Sequence, residues 1–428
     1  MIPIYDAKDK TGWQARIERK AEENAGISRK VKEIIACVRR DGDAALLELT
    51  KKFDGVDLSE AGLMVSEKEY DKAAASVSAE TLNLLKKAAK NIREYHSLQV
   101  REGFETSGAG YSLKQLVRPL KRVGIYVPGG KAAYPSTVLM SAVPAKVAGV
   151  SEIVMATPPD KNGKIAPIVL AAARIAGVDR VYKIGGAQAI AALAYGTQSV
   201  PAVDKIVGPG NAYVAQAKRE VFGQTGIDMI AGPSEILIIA DEFAEPSYVA
   251  ADMLSQAEHD EMAAAILVTT SRDLAEKTAV ELKKQYGTLP KAKTAAKALH
   301  SYGMAVIGET LADCAEIANI IAPEHLEIMT IEPESLLPLI ENAGSIFLGA
   351  YSPEPLGDYM AGPNHILPTG GTARFSSPLS VDDFIKKSSV IKYTQSKLSE
   401  VCGDIVQFAR EEGLEAHARA ARIRFYKE

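Results

Sequence analysis

Val123-Gly124-Ile125-Tyr126-Val127 runs straight into Pro128-Gly129-Gly130, and an apolar helical stretch follows through Val138-Leu139-Met140. A short β-branched run, a Gly/Pro turn and an Ala-rich helix make one repeat of a parallel sheet with helices on its faces. The scheme recurs at Ile153-Val154-Met155-Ala156, Val181-Tyr182-Lys183-Ile184 and Lys205-Ile206-Val207, and Ile236-Leu237-Ile238-Ile239 closes the run.

A second array of the same kind begins near Pro246. Its strands are Ala265-Ile266-Leu267-Val268, Met304-Ala305-Val306-Ile307, Leu326-Glu327-Ile328-Met329 and Ser345-Ile346-Phe347-Leu348. The expected fold class is therefore α/β, with two similar, incomplete Rossmann-like units built on parallel sheets. The first hundred residues read as helix, with apolar residues at helical spacing in 30–38 and 82–89. Turns at Asp41-Gly42-Asp43 and Phe53-Asp54-Gly55 punctuate them. The chain before residue 120 has too few strands for a sheet of its own. This predicts an insertion: residues 1–25 form a helical arm, 26–119 plus 240–375 a discontinuous first α/β domain, and 120–239 an inserted second one. Residues 376–428 are read as a helical extension. Ser352 to Pro378 is Gly/Pro-rich and too long for a simple connection, which marks it as a candidate site loop.

The composition of the 428 residues, 47% hydrophobic and 24% charged, is that of a globular chain. Fifty basic residues against 54 acidic ones give a net charge of -4, with no basic excess for nucleic acid. No apolar run is long enough to span a membrane, and the charged first ten residues are unlike a signal peptide. Cys37, Cys314 and Cys402 are far apart and form no Cys-x-x-Cys pair, as expected of free thiols in a reducing cytoplasm.

The chemistry concentrates in a few places. Ala322-Pro323-Glu324-His325-Leu326 sets a carboxylate beside an imidazole just after a proline. Neighbouring side chains point in different directions, so the pair can serve two proton-transfer partners. Gln256 and His259 are three apart on a predicted helix and share a face. Asp358 follows a glycine in the candidate loop, and His417 lies in the C-terminal helix. Glu412 precedes His417 by five, and Gly413 suits a helix start between them. An amide oxygen, two imidazoles and an acid form a donor set suited to Zn²⁺ with positions left open. Each also has a structural reading, as chance spacing or a turn-capping acid. His96 and His300, in polar helical stretches, are set aside. The Gly-x-Gly-x-x-Gly fingerprint is absent. Its nearest substitutes, Gly185-Gly186-Ala187-Gln188-Ala189 and Gly208-Pro209-Gly210-Asn211-Ala212-Tyr213, each follow a strand and open a helix. Their amides can face a phosphate, although a tight turn explains them equally well. The residues alone also admit a zinc hydrolase with Glu324 as its base, and a two-lobed binding protein.

Taken jointly, several strings resemble the histidinol dehydrogenase family over nearly the whole chain. They are Arg122 to Gly130, Gly185 to Ala194, Gly208-Pro209-Gly210-Asn211, Ala231-Gly232-Pro233-Ser234-Glu235, Leu254 to His259 and Pro323-Glu324-His325-Leu326. The resemblance implies oxidation of histidinol through an aldehyde to histidine, the last two steps of histidine biosynthesis, with two NAD consumed and one Zn²⁺ per subunit. It implies that Gln256, His259, Asp358 and His417 hold the metal. Ser234, His325 and Glu412 contact substrate alongside those ligands, and Tyr126, Gln188 and Asn211 contact NAD. Glu324 and His325 are the catalytic pair: the imidazole takes the hydroxyl proton, and the carboxylate assists addition of water to the aldehyde. It further implies a homodimer in which the C-terminal segment completes the neighbour's site.

Overall fold

A computed structural model describes residues 2–17, 25–129 and 133–425. Gly130 of the expected turn and residues 18–24 of the expected arm lie outside them. The described chain forms two compact units, one of residues 1–99 with 120–384 and one of 100–119 with 385–428.

The larger unit holds two parallel sheets. The five-stranded sheet runs Arg180–Lys183, Glu152–Thr157, Arg122–Tyr126, Lys205–Val207, Gly226–Ile227. The six-stranded sheet runs Ile4–Asp6, Met304–Ile307, Ala264–Thr269, Glu235–Ala240, His325–Met329, Ser345–Leu348. Numbered within each sheet and leaving aside the N-terminal edge strand, both have the order 3-2-1-4-5. That is the doubly wound arrangement short of its sixth strand, with a switch point between strands 1 and 4.

Burial on both faces explains the uninterrupted Ile/Val/Leu strands. Glu235–Ala240 is buried throughout, with Ile236 and Ile238 in the core on one face and Leu237 and Ile239 in the core on the other. This strand, expected to close the first array, is instead the centre of the second. A wholly apolar strand suits the middle of either sheet, and its own residues do not name its neighbours. The N-terminal helices differ from expectation as well. Ala25–Asp41 and Asp43–Phe53 share a core with Gly186–Tyr195 and Ala212–Val221, while Glu67–Ser76 and Ala79–Ser97 share one with Pro135–Val147 and Pro167–Ala176. They thus cover the two faces of the five-stranded sheet. The expected arm supplies the edge strand Ile4–Asp6 and the helix Lys10–Ile17, whose Trp13 is fully buried under the six-stranded sheet.

The smaller unit is an antiparallel sheet, Ile385–Tyr393, Tyr111–Pro119, Phe104–Gly108, followed by helices Gln395–Glu411 and Glu415–Arg422. An all-helical extension was expected. Ile385–Tyr393 is almost wholly exposed, so its Lys- and Ser-rich sequence carries no buried alternation to mark a strand. The helix break expected near Gly413 is present, with that glycine at φ 73°. Among the described residues no helix is long and apolar enough to cross a membrane.

Ile238→Ala, in the middle of the central strand, should cost about 2–5 kcal/mol of stability in denaturant titration. A loss below about 1 kcal/mol would contradict a tightly packed centre at this strand.

Candidate active site

The Glu324-His325 pair is placed by backbone constraints on both sides. Helix Leu311–Ile321 ends at Ala322 with φ 49° and ψ 62°, the sole non-glycine positive φ among the described residues. Alanine in that conformation is strained, more so before a proline. The chain then enters strand His325–Met329. Pro323 and Glu324 accept backbone bonds from Gly344 and Ser345, both at 2.9 Å. A Cβ on Gly344 would lie 2.5 Å from the Glu324 carbonyl oxygen, so the approach needs glycine.

One residue of the central strand then holds both side chains. The Glu235 N–H donates to Glu324 Oε2 at 2.9 Å, and His325 Nδ1 donates to the Glu235 carbonyl at 2.9 Å. The second bond selects the Nδ1–H tautomer and leaves Nε2 with the lone pair. Burial holds the imidazole down at about 4, against the pull of the Asp358 charge, so the ring is neutral near pH 7. Burial also raises the Glu324 carboxyl well above the ordinary range, with the Glu235 N–H opposing the shift.

Acidic groups surround the ring. His325 Nε2 lies 3.7 Å from Glu354 Oε1, and Asp358 Oδ1 lies 3.3 Å from His365 Nδ1. His325, Glu354 and Asp358 offer ligand atoms all within 4.8 Å of one another, compact enough for one cation. Glu327, two residues along the strand from His325, shares its face; its carboxylate accepts the Glu354 N–H at 2.7 Å. Asp252 lies beside Glu327, and Ser255 donates to Glu354 Oε2 at 3.2 Å. Burial, then the Asp252 charge, pushes Glu327 up to about 9; burial, then the Asp358 charge, pushes Glu354 up as well. Burial works against Asp358 too, but the bond to His365, together with the charge of that ring, holds it below its ordinary value. Asp358 is thus the anion of the group.

The expected residues fall into three places. Gln256 is buried against the His325 ring, its Nε2 3.4 Å from Nδ1, and its amide oxygen has no hydrogen-bond partner among the described residues. Helix Pro246–Ala257 stops before His259, which sits exposed in the following turn rather than on a shared helical face; its N–H bonds to the Gln256 carbonyl at 3.0 Å. It lies near enough to His325 and Asp358 to act on both electrostatically. Asp358 lies on the short helix Glu354–Tyr359, not in a loop. Half-buried Ser234 precedes the central strand, with its carbonyl bonded to Ala264. Tyr126, Gln188 and Asn211 belong to the five-stranded sheet, at the carboxyl ends of its strands or on the helices that follow. Buried Tyr126, raised to about 12 by burial, accepts the Gly186 N–H at 3.0 Å. Gln188 is buried on helix Gly186–Tyr195, and Asn211 caps helix Ala212–Val221 through Tyr213 and Val214. Glu412 and His417 are exposed residues of the smaller unit.

Glu354, His365, Glu327 and Asp252 escaped the reading of the sequence. The usable signals were a charged residue inside an apolar strand and acid or amide pairs four apart, at 252/256 and 354/358. His96, set aside as polar, is fully buried and bonded to the Ile92 carbonyl at 2.8 Å.

A carboxyl whose pKa is higher in the folded protein than its ordinary 4.5 favours folding when protonated. Its contribution is intact below that value and is lost as the pH rises through about 9 for Glu327. Glu327→Gln keeps a neutral acceptor for the Glu354 amide. In metal-free protein it should flatten the fall in unfolding free energy between pH 5 and 9. An unchanged slope would show that Glu327 ionises without cost in the folded chain.

Comparison with known proteins gives the family. A family model described as histidinol dehydrogenase matches residues 17–425. The chain is 54% identical over 414 residues to "Histidinol dehydrogenase" of Clostridium acetobutylicum, covering 96% of each chain. It is 53% identical over 426 residues to that of Moorella thermoacetica, covering 99% of this chain and 100% of the relative. The crystal structure of histidinol dehydrogenase from Elizabethkingia anophelis superposes with a TM-score of 0.93 at 38% identity, covering 99% of this chain and 98% of that one. With a family model over residues 17–425, relatives more than half identical across nearly the full length and a solved structure at a TM-score of 0.93, the chain belongs to the histidinol dehydrogenase family.

Proposed function

We propose that the protein oxidises L-histidinol through L-histidinal to L-histidine, the last two steps of histidine biosynthesis. The observation that carries this reading is the buried Glu324-His325 pair, fixed to the Glu235 peptide beside the Asp358 anion and the unpartnered Gln256 oxygen.

His325 is the base of the alcohol step. Its neutral ring presents Nε2, which takes the hydroxyl proton as the carbinol C–H leaves as hydride. NAD, consumed twice, supplies the hydride acceptor. For the second oxidation, Glu324 takes a proton from water as its oxygen adds to the aldehyde carbon. Its raised pKa makes the ionised form a stronger base than an exposed carboxylate, so the transfer starts from Glu324 once it has lost its own proton. Enclosure of the pair keeps the aldehyde in place between steps.

Gln256, His259, Asp358 and His417 would hold one Zn²⁺, with His417 arriving from the neighbouring subunit of a homodimer. The donor set fits: the Gln256 oxygen is a buried acceptor awaiting a partner, and Asp358 stays ionised in a pocket of otherwise raised carboxyls. Zinc there supplies a charge that orients the imidazole and amine of the substrate. Ser234 and Glu412 complete the substrate contacts. Tyr126, Gln188 and Asn211 would contact NAD; the carboxyl ends of parallel strands at a switch point are where dinucleotides bind in such sheets. Free Cys37, Cys314 and Cys402 suit a cytoplasmic enzyme.

Histidinol and NAD given to the purified protein should yield two NADH per histidinol. Glu324→Gln should slow oxidation of supplied histidinal on the order of 10²–10⁴-fold and that of histidinol less, whereas His325→Asn should impair both. Equal losses for both substrates in Glu324→Gln would remove the carboxylate from the water step.

Mixing inactive Glu324→Gln subunits with inactive His417→Asn subunits should restore turnover, because one site of each hybrid dimer receives both intact groups. No recovery under conditions shown to exchange subunits would rule out the shared site.

A further inference from the structure

Lys218 and Asp228 form an ion pair with almost no solvent contact, at 2% and 1% side-chain exposure, away from the Glu324-His325 site. Lys218 lies on helix Ala212–Val221, and Asp228 follows the edge strand Gly226–Ile227. Lys218 Nζ contacts Asp228 Oδ1 and donates to the Gly208 carbonyl at 3.0 Å. Asp228 Oδ2 accepts the Gly208 N–H at 2.8 Å, and Oδ1 accepts the Met229 N–H at 2.6 Å. Both backbone polar groups of one glycine are therefore held by one buried pair.

That glycine opens the Gly208-Pro209-Gly210-Asn211 loop. Its φ is 112°, and a Cβ on it would lie 2.1 Å from the Tyr126 carbonyl oxygen. The loop thus presses against the end of strand Arg122–Tyr126, at the switch point with Lys205–Val207. At its far end Asn211 spends its side-chain oxygen on the Tyr213 and Val214 amides, which leaves its NH₂ as the donor. A buried ion pair is a poor stabiliser compared with packed apolar residues. What this pair achieves is direction: it fixes where the loop stands before any ligand arrives.

We infer that Lys218 and Asp228 are positioning residues for the dinucleotide, clamping Gly208 so that the loop through Asn211 is preformed beside Tyr126. The inference rests on the NAD site proposed above. Preorganisation lowers the ordering cost of binding, so its loss appears in cofactor affinity and not in the chemistry.

The test uses the full-length enzyme and a Lys218→Met/Asp228→Asn double variant, which leaves no lone buried charge. Steady-state kinetics would separate KM for NAD, KM for histidinol and kcat, and NADH fluorescence titration would give affinity directly. The expected result is a roughly tenfold weaker NAD and NADH affinity, the loss of about one well-made interaction, with kcat and KM for histidinol within about twofold of wild type. A folded double variant with unchanged cofactor affinity would overturn the clamp, as would equal losses in all three constants. If the double variant does not fold, Lys218→Gln/Asp228→Asn, which also leaves no lone charge and keeps polar groups at both positions, is read in the same assays by the same criteria. Asn211→Ala is the control for the underlying site. If it also leaves NADH affinity unchanged, the NAD assignment at this loop fails; if it weakens binding while the clamp variant does not, only the clamp fails.

Discussion

The peptide of Glu235 is the constraint on which the site depends. Its N–H holds the Glu324 carboxyl and its carbonyl holds the His325 imidazole, each at 2.9 Å. Both groups belong to the main chain of a strand buried between two neighbours, so they have little freedom to move. The tautomer of the ring, the direction of its lone pair and the aim of the carboxylate all follow. The strained Ala322 turns the chain into strand His325–Met329 alongside that strand, and the glycine required at 344 lets the strand on the other side hold Pro323-Glu324 in place.

The two sheets share one strand order yet use opposite ends. In the five-stranded sheet the loops at Tyr126, Gly185-Gly186 and Gly208 cluster at the carboxyl ends, as the doubly wound geometry favours. In the six-stranded sheet His325 and Glu235 are the first residues of their strands, so the Glu324-His325 pair stands at the amino ends. Helix Pro246–Ala257 returns antiparallel to its strand and delivers Gln256 to the same end. The polar lining at the amino ends is concentrated on the face of His325 and Glu327, while Leu326 and Ile328 point into the core on the other face.

The sequence made the strand-and-helix alternation legible because both sheets are buried on both faces, and fully buried strands leave long β-branched runs. It made Glu324-His325 legible because a carboxylate and an imidazole stand at the head of such a run, and Gln256 through its spacing from His259. What it left hidden was pairing. Ile236–Ile239 reads the same at the end of one sheet as at the centre of the next, and the helices before residue 100 carry no mark of which sheet they cover. The exposed strand Ile385–Tyr393 buries no face and so has no period to betray it. Glu354 and Glu327 were missed for a different reason. Their significance lies in burial beside other acids, and an acid at a helix start or between apolar residues looks ordinary until its neighbours are known.

The site combines the lowered Asp358 carboxyl with a Gln256 amide oxygen that has no hydrogen-bond partner among the described residues, while Cys37, Cys314 and Cys402 are free thiols. The proposed occupant is a borderline cation bound by oxygen and nitrogen alone. X-ray absorption at the zinc edge of the purified enzyme tests this most directly. The expected result is one zinc per chain, with two imidazoles and oxygen donors in its shell. Sulfur in that shell, or no stoichiometric zinc after loading, would contradict it.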